Sequence, residues 1–568
     1  SKGVLIWDDQ YLTFKPDTPF QNTIVIGSAG GIFNYGDLGK DIDKKLKFLN
    51  LKQLGKIEFD LIESNDFFIE KLWEVKHEKK SPWSKSFIDL QNDVTTNDLR
   101  QGIKEGFDRI EHLKRFTTNS MGTDQGKISS INALGIVSEI LKKKISEVGT
   151  TIYRPPYAPL SFSSIAGRNT YEFYDPERKT PIHEWHKKNG AVFEDVGQWK
   201  RPWYFESKPD ESFEEAVQRE SLHVRKYAGV LDGSTLGKIE IKGRDALEFM
   251  NLIYTNSFSK MKPMTARYAL MLKEDGMVMD DGIVSKISNE HFIATTTTGG
   301  AANVLSHMEE FAQTEWPHLN VYLNSVTEQF CTFNISGPNS RSILKKVFKD
   351  INFDNQNFPF MTFGNYKYID SKINILRASF TGEIGYEIYV SPSMALTLWE
   401  DLFRFGEDHG LIAYGTETMH LLRAEKGYII VGQDTDGSVT PYDLGLEWMI
   451  GKNKEDFIGK RSLSRPDTIR NDRKQLVGVI PTDKKNIIEE GQHIILSRNY
   501  KPPIKMLGHV TSSYMSPNLN HSFGMAVIQD GKKLINSKAY ISSSKGESFE
   551  VEIIKPIFFD KNNERLMS

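Results

Sequence analysis

The sequence predicts a multidomain α+β chain that closes with a small β-barrel. Three observations carry this. With 568 residues there is room for roughly three or four domains. Helix-period and strand-period segments alternate from a helical stretch at Glu214–Ala228 to about Lys460. From Lys474 to Ile557 short strand-like runs ("VGVIP", "GQHIIL", "GHVTSSY", "FGMAVI", "KAYISS", "FEVEII") follow one another with turn signals between them, as in a barrel. Hydrophobic residues at 39% can fill cores, and aromatics at 11% argue against disorder.

The elements before Glu214 are less regular. The chain opens "SKGVLIWDDQ", without methionine and directly in a strand-like stretch, which suggests a removed leader or a piece of something larger. "NTIVIGSAGGIFNYGDLGK" (Asn22–Lys40) reads as a strand, a Gly-rich turn and a further element. It lacks a full G-x-G-x-x-G pattern with a later acid, so a plain turn and a nucleotide-binding turn both stay open. Asn97–Lys144 is mainly helical, broken by "TTNSMGTDQGK", and "YRPPYAPLSFSSIAGR" (Tyr153–Arg168) is a Pro-rich connector. Thr180–Phe205 carries three tryptophans and two histidines. His183 and His186 could share a helix face, but no third metal ligand lies nearby, so a packed aromatic extended segment is expected. The resulting boundaries are 1–55, 56–150 (helical), 151–215 (Pro- and aromatic-rich connector), 216–460 and 461–568.

Composition excludes several classes of function. A net charge of -3 gives no global attraction to nucleic acid or anionic lipid. No apolar run is long enough to span a bilayer and no signal peptide is evident. The single cysteine, Cys331, rules out an internal disulfide framework and a thiolate zinc cluster. A reducing cytoplasm fits best.

Chemistry is concentrated in a few stretches. "MLKEDGMVMDDGIVSKI" (Met271–Ile287) has the Asp-Gly signal of a tight hairpin, with Tyr268–Lys273 and Met277–Ile287 as its arms. On the second arm Met277, Met279, Asp281, Ile283 and Ser285 alternate onto one face; Val278, Asp280 and Val284 take the other. Whichever face is inward, a carboxylate meets apolar neighbours, which is costly unless it is paired, protonated or bound to something. In "RASFTGEIGYEIYV" (Arg377–Val390), Glu387 sits between Tyr386 and Ile388, where a free carboxylate would be poorly solvated. "YGTETMHLLRAEKGYIIVGQD" opens as a helix with Thr416 as N-cap and Gly427 as its left-handed end. Arg423 and Glu425 fall in its last turn. "HFIATTTTGGAANV" sets four threonines and two glycines between a strand and a helix.

Two readings fit these residues. In one, Asp281 pairs with Arg423 or Arg267 and Glu387 with another base, as internal scaffolding. In the other, the carboxylates and arginine receive a flat heterocycle with an anionic tail: a carboxylate accepts two parallel bonds from a pterin edge, and arginine grips carboxylates. Composition does not choose between them.

Several stretches carry a resemblance. "VRKYAGVLDGSTLGKIEIKG", "YALMLKEDGMVMDDGIV", "FTGEIGYEIYV", "LLRAEKGYIIVGQDTDGSVTPYDLGLEW" and "LGHVTSSYMSP" resemble the folate-binding aminomethyltransferase (glycine-cleavage T-protein) family, from about residue 216 onward. "EHLKRFTTNSMGTDQGK", "VGTTIYRPPYAPL" and "HEWHKKNGAVFEDVGQWKRPWYF" resemble the α subunits of heterotetrameric sarcosine oxidases. The resemblance implies a T-protein-like folate-binding domain (216–460) followed by the barrel (461–568). Before them it implies the closing part of an FAD/NAD-type nucleotide-binding α/β domain (1–55) and a helical segment. The upstream part bearing the dinucleotide fingerprint is absent, so NAD is expected only where that region is present.

The same resemblance implies a chemistry. A flavin on a partner subunit oxidises the N-methyl group of sarcosine, and the iminium carbon passes to tetrahydrofolate, giving 5,10-methylenetetrahydrofolate and glycine. Asp281 matches the family aspartate beside the reactive folate nitrogens, with Asp280 as its neighbour. Glu387 matches the position that holds the pterin edge, with Glu383 as second choice; Arg423 matches an arginine near folate, and Tyr268 lines the site. FMN and FAD are expected with or on the flavin-containing β subunit, and small γ- and δ-type subunits complete the complex. An N-methylglutamate dehydrogenase α subunit, a glycine-cleavage aminomethyltransferase and a non-catalytic folate-binding scaffold are the alternatives. Scaffold members with an iron–sulfur-repair role carry a Lys-Gly-Cys stretch, where this sequence has Tyr428.

Overall fold

The structure, a computed structural model, describes residues 4–17, 23–51, 68–75, 84–165, 167–168, 171–498, 503–542 and 548–568. The chain divides into two compact units, Ser1–Tyr174 and Asp175–Ser568.

In the first unit Leu5–Asp8 and Thr13–Pro16 form an antiparallel ribbon. Helices Thr96–Lys104, Ile110–Thr117 and Ser130–Leu141 pack around Leu99, Leu113, Leu134 and Val137. The first of these begins with a capping box in which Thr95 and Asp98 satisfy each other's backbone N–H groups. The expected strand before the Gly-rich turn is not formed: Thr23–Ile26 is irregular and runs into a single 3-10 turn, Gly27–Gly30, before the helix Tyr35–Phe48. A strand needs a neighbour for its backbone groups. None lies alongside among the described residues, and the Val25 carbonyl instead accepts from Lys45 Nζ at 2.7 Å. Of the regions expected at 1–55 and 56–150, residues 1–3, 18–22, 52–67 and 76–83 lie outside the described residues.

Two sheets and a barrel organise the second unit. The first sheet runs Thr265–Leu272, Val278–Ser288, His291–Thr296, Gly237–Lys242, Tyr322–Ser325, antiparallel throughout. Helices Ala246–Ile253 and Ala301–Thr314 bury Phe249, Met250, Val304 and Met308 against Ile239, Ile241 and Phe292. The second sheet runs Phe363–Tyr368, Ser371–Leu376, Gly385–Val390, Cys331–Ser336, Ala228–Asp232, Leu411–Ala413, with only the last pairing parallel. Helices Ser340–Val347 and Pro392–Gly406 cover it through Ile343, Leu344, Leu398 and Trp399. Lys474–Ile554 closes a six-stranded barrel, as the spaced short strands predict.

Apolar seams join these lobes. Ala266 and Ile293 of the first sheet meet Phe363, Leu376 and Tyr389 of the second. Leu270, Leu272 and Val278 meet Leu476, Phe523 and Met525 of the barrel. The helix Thr416–Lys426 is set among them, and eight of its eleven residues are buried. Gly427 ends it with φ 78°, and a Cβ there would lie 1.6 Å from the Pro556 carbonyl, so only glycine fits. Its N-cap is Gly415 rather than the expected Thr416. A Cβ at 415 would lie 1.9 Å from the Trp203 carbonyl, so the crossing strand Trp199–Phe205 forces glycine at the cap, and Thr416 bonds Glu194 from inside the helix.

The aromatic segment is extended in its second part, where Ala191–Val196 and Trp199–Phe205 form a ribbon, but its first part, with both histidines, is helical rather than extended as expected. That helix is short, His183–Lys188. His186 Nε2 meets Asp232 Oδ2 at 3.0 Å, and His183 stacks against Phe193 at 4.4 Å. No helix of the described residues is long and apolar enough to cross a membrane.

Candidate functional site

The hairpin places its two acids by register. Leu270 stands opposite Asp281 and Met271 opposite Asp280, with a bulge between Met271 and Leu272 and Gly276 at φ 86° in the turn. Successive side chains leave a strand on opposite faces, so the two carboxylates have different surroundings. Asp280 is 3% exposed. Its Oδ2 accepts the Thr297 N–H at 3.3 Å, while Oδ1 is buried with no partner. Gly300 leads into the helix Ala301–Thr314, and a Cβ there would lie 2.8 Å from Asp280 Oδ2; the glycine lets the carboxylate approach that N-terminus. Burial nevertheless pushes the Asp280 carboxyl up to about 6.

Asp281 is half-buried, and its Oδ2 accepts the Tyr268 hydroxyl at 2.5 Å. Burial pushes its carboxyl up to about 7; the Tyr268 bond and the charge of Arg423 pull it down, and the charge of Asp280 pushes it further up. Both readings of the sequence can now be compared with the partners. Arg423 ion-pairs with Asp434 at 2.5 Å, and Arg267 donates to the Ser257 carbonyl. Among the described residues no ion pair joins Asp281 to a base. The scaffold pairing expected for Asp281 is therefore not formed: each arginine is claimed by an acceptor closer to its own strand or helix.

Glu387 lies on the wholly buried strand Gly385–Val390. It accepts from the Tyr389 hydroxyl at 2.7 Å and from Asn334 Nδ2 at 3.2 Å, and burial pushes its carboxyl up. Again no base lies within ion-pair distance among the described residues. Asn334, its cross-strand partner, leaves Oδ1 buried and unbonded and lines a narrow cavity with Leu231, Phe380, Tyr414 and Met419.

The remaining expected residues sit differently. Glu383 is buried and gripped by Arg225 at 3.1 Å and Arg565 at 3.0 Å. Arg225 also holds Glu425 at 2.7 Å. Arg423 is fully buried; besides Asp434 it donates to Ser512 Oγ at 2.8 Å and the Tyr428 carbonyl at 2.9 Å, and its Nε lacks a partner. The structure thus brings Tyr268, Asp280 and Asp281 together on one ribbon, sets Glu387 on the neighbouring sheet, and commits Glu383 to an internal ion-pair cluster. Among the described residues no group of three His, Cys, Asp or Glu side chains could hold a metal.

Comparison with known proteins places this arrangement. Residues 182–454 match the GCVT N-terminal domain, 474–560 the glycine cleavage T-protein C-terminal barrel domain, and 83–168 the sarcosine oxidase A3 domain. An aminomethyltransferase of Halothermothrix orenii is 30% identical over 376 residues, which is 66% of this chain and 96% of that protein. The chain belongs to the aminomethyltransferase family. The crystal structure of aminomethyltransferase T of the glycine cleavage system from Bartonella henselae shares the fold, with a TM-score of 0.57 at 22% identity over 68% of this chain and 98% of the other. The sarcosine oxidase α subunit of Corynebacterium sp. strain P-1 is 41% identical over 577 residues, covering 99% of this chain and 59% of that subunit. The chain spans about half the length of two further α subunits that it matches.

Within this aminomethyltransferase fold, Thr297, Gly300, Asn334, Tyr389 and Asp434 complete the surroundings of the expected residues. The four-threonine stretch was a visible signal for Thr297 and Gly300. Asn334 and Asp434 had none, because their partners are set by strand pairing and by a loop return.

Proposed function

We propose that the chain transfers a one-carbon unit from an oxidised N-methyl amine to tetrahydrofolate, as the α-type subunit of a sarcosine-oxidising complex. What carries the reading is a pair of poorly hydrated carboxylates, Asp281 and Glu387, on adjoining sheets with no base against either among the described residues. Acceptors left in that state fit a ligand that brings its own N–H donors, as the amide and amine edge of a pterin does. The buried, unbonded Oδ1 of Asn334 beside Glu387 adds to the same unmet demand.

In this reading the roles implied by the family resemblance are distributed over these surroundings. Glu387, with Asn334 beside it, receives the pterin edge. Asp281 faces the reactive nitrogens and takes the proton released as one of them bonds to the iminium carbon. A carboxyl pushed up to about 7 is poised both to accept and to return a proton near neutral pH. Tyr268 fixes the direction of that carboxylate, Asp280 raises its basicity by its own charge, and the charge of Arg423 limits the effect. Glu383 braces the loop that leads into the Glu387 strand.

Oxidation of the amine belongs to a flavin-bearing partner with FMN and FAD; small further subunits complete the assembly, and NAD enters only with an upstream region. The likeness to Corynebacterium α subunits over nearly the whole chain favours sarcosine over the N-methylglutamate alternative. The test supplies sarcosine, the flavin subunits and tetrahydrofolate and measures methylenetetrahydrofolate against free formaldehyde. Wild type should give the folate product, and Asp281→Asn should release formaldehyde. Formaldehyde from both in equal amounts would make the chain a scaffold.

A further inference from the structure

One large aromatic side chain beside the acid-bearing ribbon takes little part in any interior. Trp448 is 64% exposed, whereas every other tryptophan of the described residues is buried or half-buried. It sits on the single 3-10 turn Glu447–Met449, and that turn is fixed from below. Met449 is buried, and its carbonyl accepts from Thr255 Oγ1 at 3.4 Å. The Gly451 N–H donates to the Thr255 carbonyl at 2.9 Å, and the Thr255 N–H donates to the Leu270 carbonyl at 3.0 Å. Leu270 is the residue opposite Asp281, so the turn is bonded to the same ribbon that carries the acid.

The side chain of Trp448 reaches the site as well. Its ring meets that of Tyr268 with centroids 6.5 Å apart and planes tilted by 39°, and the Tyr268 hydroxyl holds Asp281. Aromatic rings attract at such separations, but this contact leaves most of the indole to water. An apolar side chain exposed singly is ordinary on a protein surface. What sets this one apart is its place: a rigid turn holds it, already ordered, against the tyrosine that directs Asp281. A flat group that binds there meets a surface whose ordering cost is met by the fold.

We propose that Trp448 is a binding residue for the aminobenzoyl ring of tetrahydrofolate, and that with Tyr268 it directs the part of the ligand that leaves the reactive nitrogens. The inference rests on the reading of Asp281 as the acid that faces those nitrogens. N10 is bonded directly to the aminobenzoyl ring, so a ligand whose N10 lies near Asp281 brings that ring up to Tyr268. Trp448 is the aromatic surface standing there. An indole gives a flat ring dispersion and edge-to-face contacts without asking for a charge. Its target is the aminobenzoyl ring alone; the pterin is received at Glu387 on the other sheet.

Truncating the ligand gives the test. Tetrahydrofolate and tetrahydropterin, which lacks the aminobenzoyl ring, are titrated calorimetrically into the full chain as wild type, Trp448→Ala and Trp448→Phe. Trp448→Ala should bind tetrahydrofolate about tenfold more weakly and tetrahydropterin within about twofold of wild type, and Phe should recover most of the loss. With the flavin subunits supplied, KM for tetrahydrofolate should rise in Trp448→Ala while kcat is kept. Equal losses for both ligands overturn the proposal, since the indole would then act through Tyr268 and Asp281; so does no loss for either. If Trp448→Ala keeps its tetrahydrofolate affinity but no longer associates with the flavin subunits, the indole is a subunit contact and the proposal falls. If the loss is confined to tetrahydrofolate but Asp281→Asn transfers the one-carbon unit like wild type, the role given to Asp281 fails while the seat of the aminobenzoyl ring stands.

Discussion

Replacing Asp281 by Asn should stabilise the protein while abolishing one-carbon transfer, and the pH dependence of that gain is the sharper test. The carboxyl ordinarily titrates at 3.8 and is pushed up to about 7 in the folded chain. Each pH unit in between is worth about 1.4 kcal/mol of differential interaction, which bounds the effect at about 4 kcal/mol. Asp281 is only half-buried, and relaxation around it softens the penalty, so about 2 kcal/mol is the working figure. The sign follows from proton linkage. The folded state holds this proton more tightly than the unfolded state, so its contribution is fully present below 3.8 and is lost as pH rises to about 7. Asn has no proton to lose. Urea unfolding of both proteins should therefore coincide near pH 4 and diverge up to pH 7, with the Asn variant ahead by about 2 kcal/mol at pH 8 and an unchanged slope. An equal gap at both pH values, or none at pH 8, would refute the claim that this acid is held against its solvation.

Three further outcomes follow from the same geometry. Tyr268→Phe removes the one hydroxyl bonded to Asp281, a charge-assisted bond worth about 1.5–3 kcal/mol; the pH at which transfer reaches half its maximum should move upward, read from initial rates across pH. Arg423→Met leaves Asp434 buried and unpaired, so the thermal midpoint should fall as expected for about 3–5 kcal/mol, whereas Arg423 acting chiefly as a ligand contact would weaken folate binding with little loss of stability. Glu383→Gln should likewise cost stability by removing the ion-pair partner of Arg565 and one of the two of Arg225, yet leave tetrahydrofolate affinity within about threefold by calorimetry; a large loss of affinity would return Glu383 to the binding edge.

What could be read from the sequence was what depends on local pattern. Alternation along Met277–Ser285 and the Asp-Gly turn located the ribbon and both acids, because a strand's faces follow from its period alone. Gly427 ends its helix in the left-handed region as expected, since that end is fixed by one residue's backbone freedom. The partners were not legible. Arg423 finds Asp434 through a loop that folds back on the helix, and Glu383 finds Arg565, 182 residues away, across the interior. Both are outcomes of tertiary packing, on which charge pattern in one dimension is silent. The Thr23–Ile26 stretch shows the reverse error: its apolar, β-branched residues favour a strand, but β propensity expresses itself only where a neighbouring strand is at hand.

The helix Thr416–Lys426, sunk between both sheets and the barrel, couples the fates of these lobes. Since each lobe completes part of its interior on this shared rod, none can loosen without uncovering it, and the second unit should lose its structure on heating as one body. A substitution far out in the barrel would then register at the acid-bearing ribbon as a change in how often the whole assembly opens, even with every local contact of the ribbon intact.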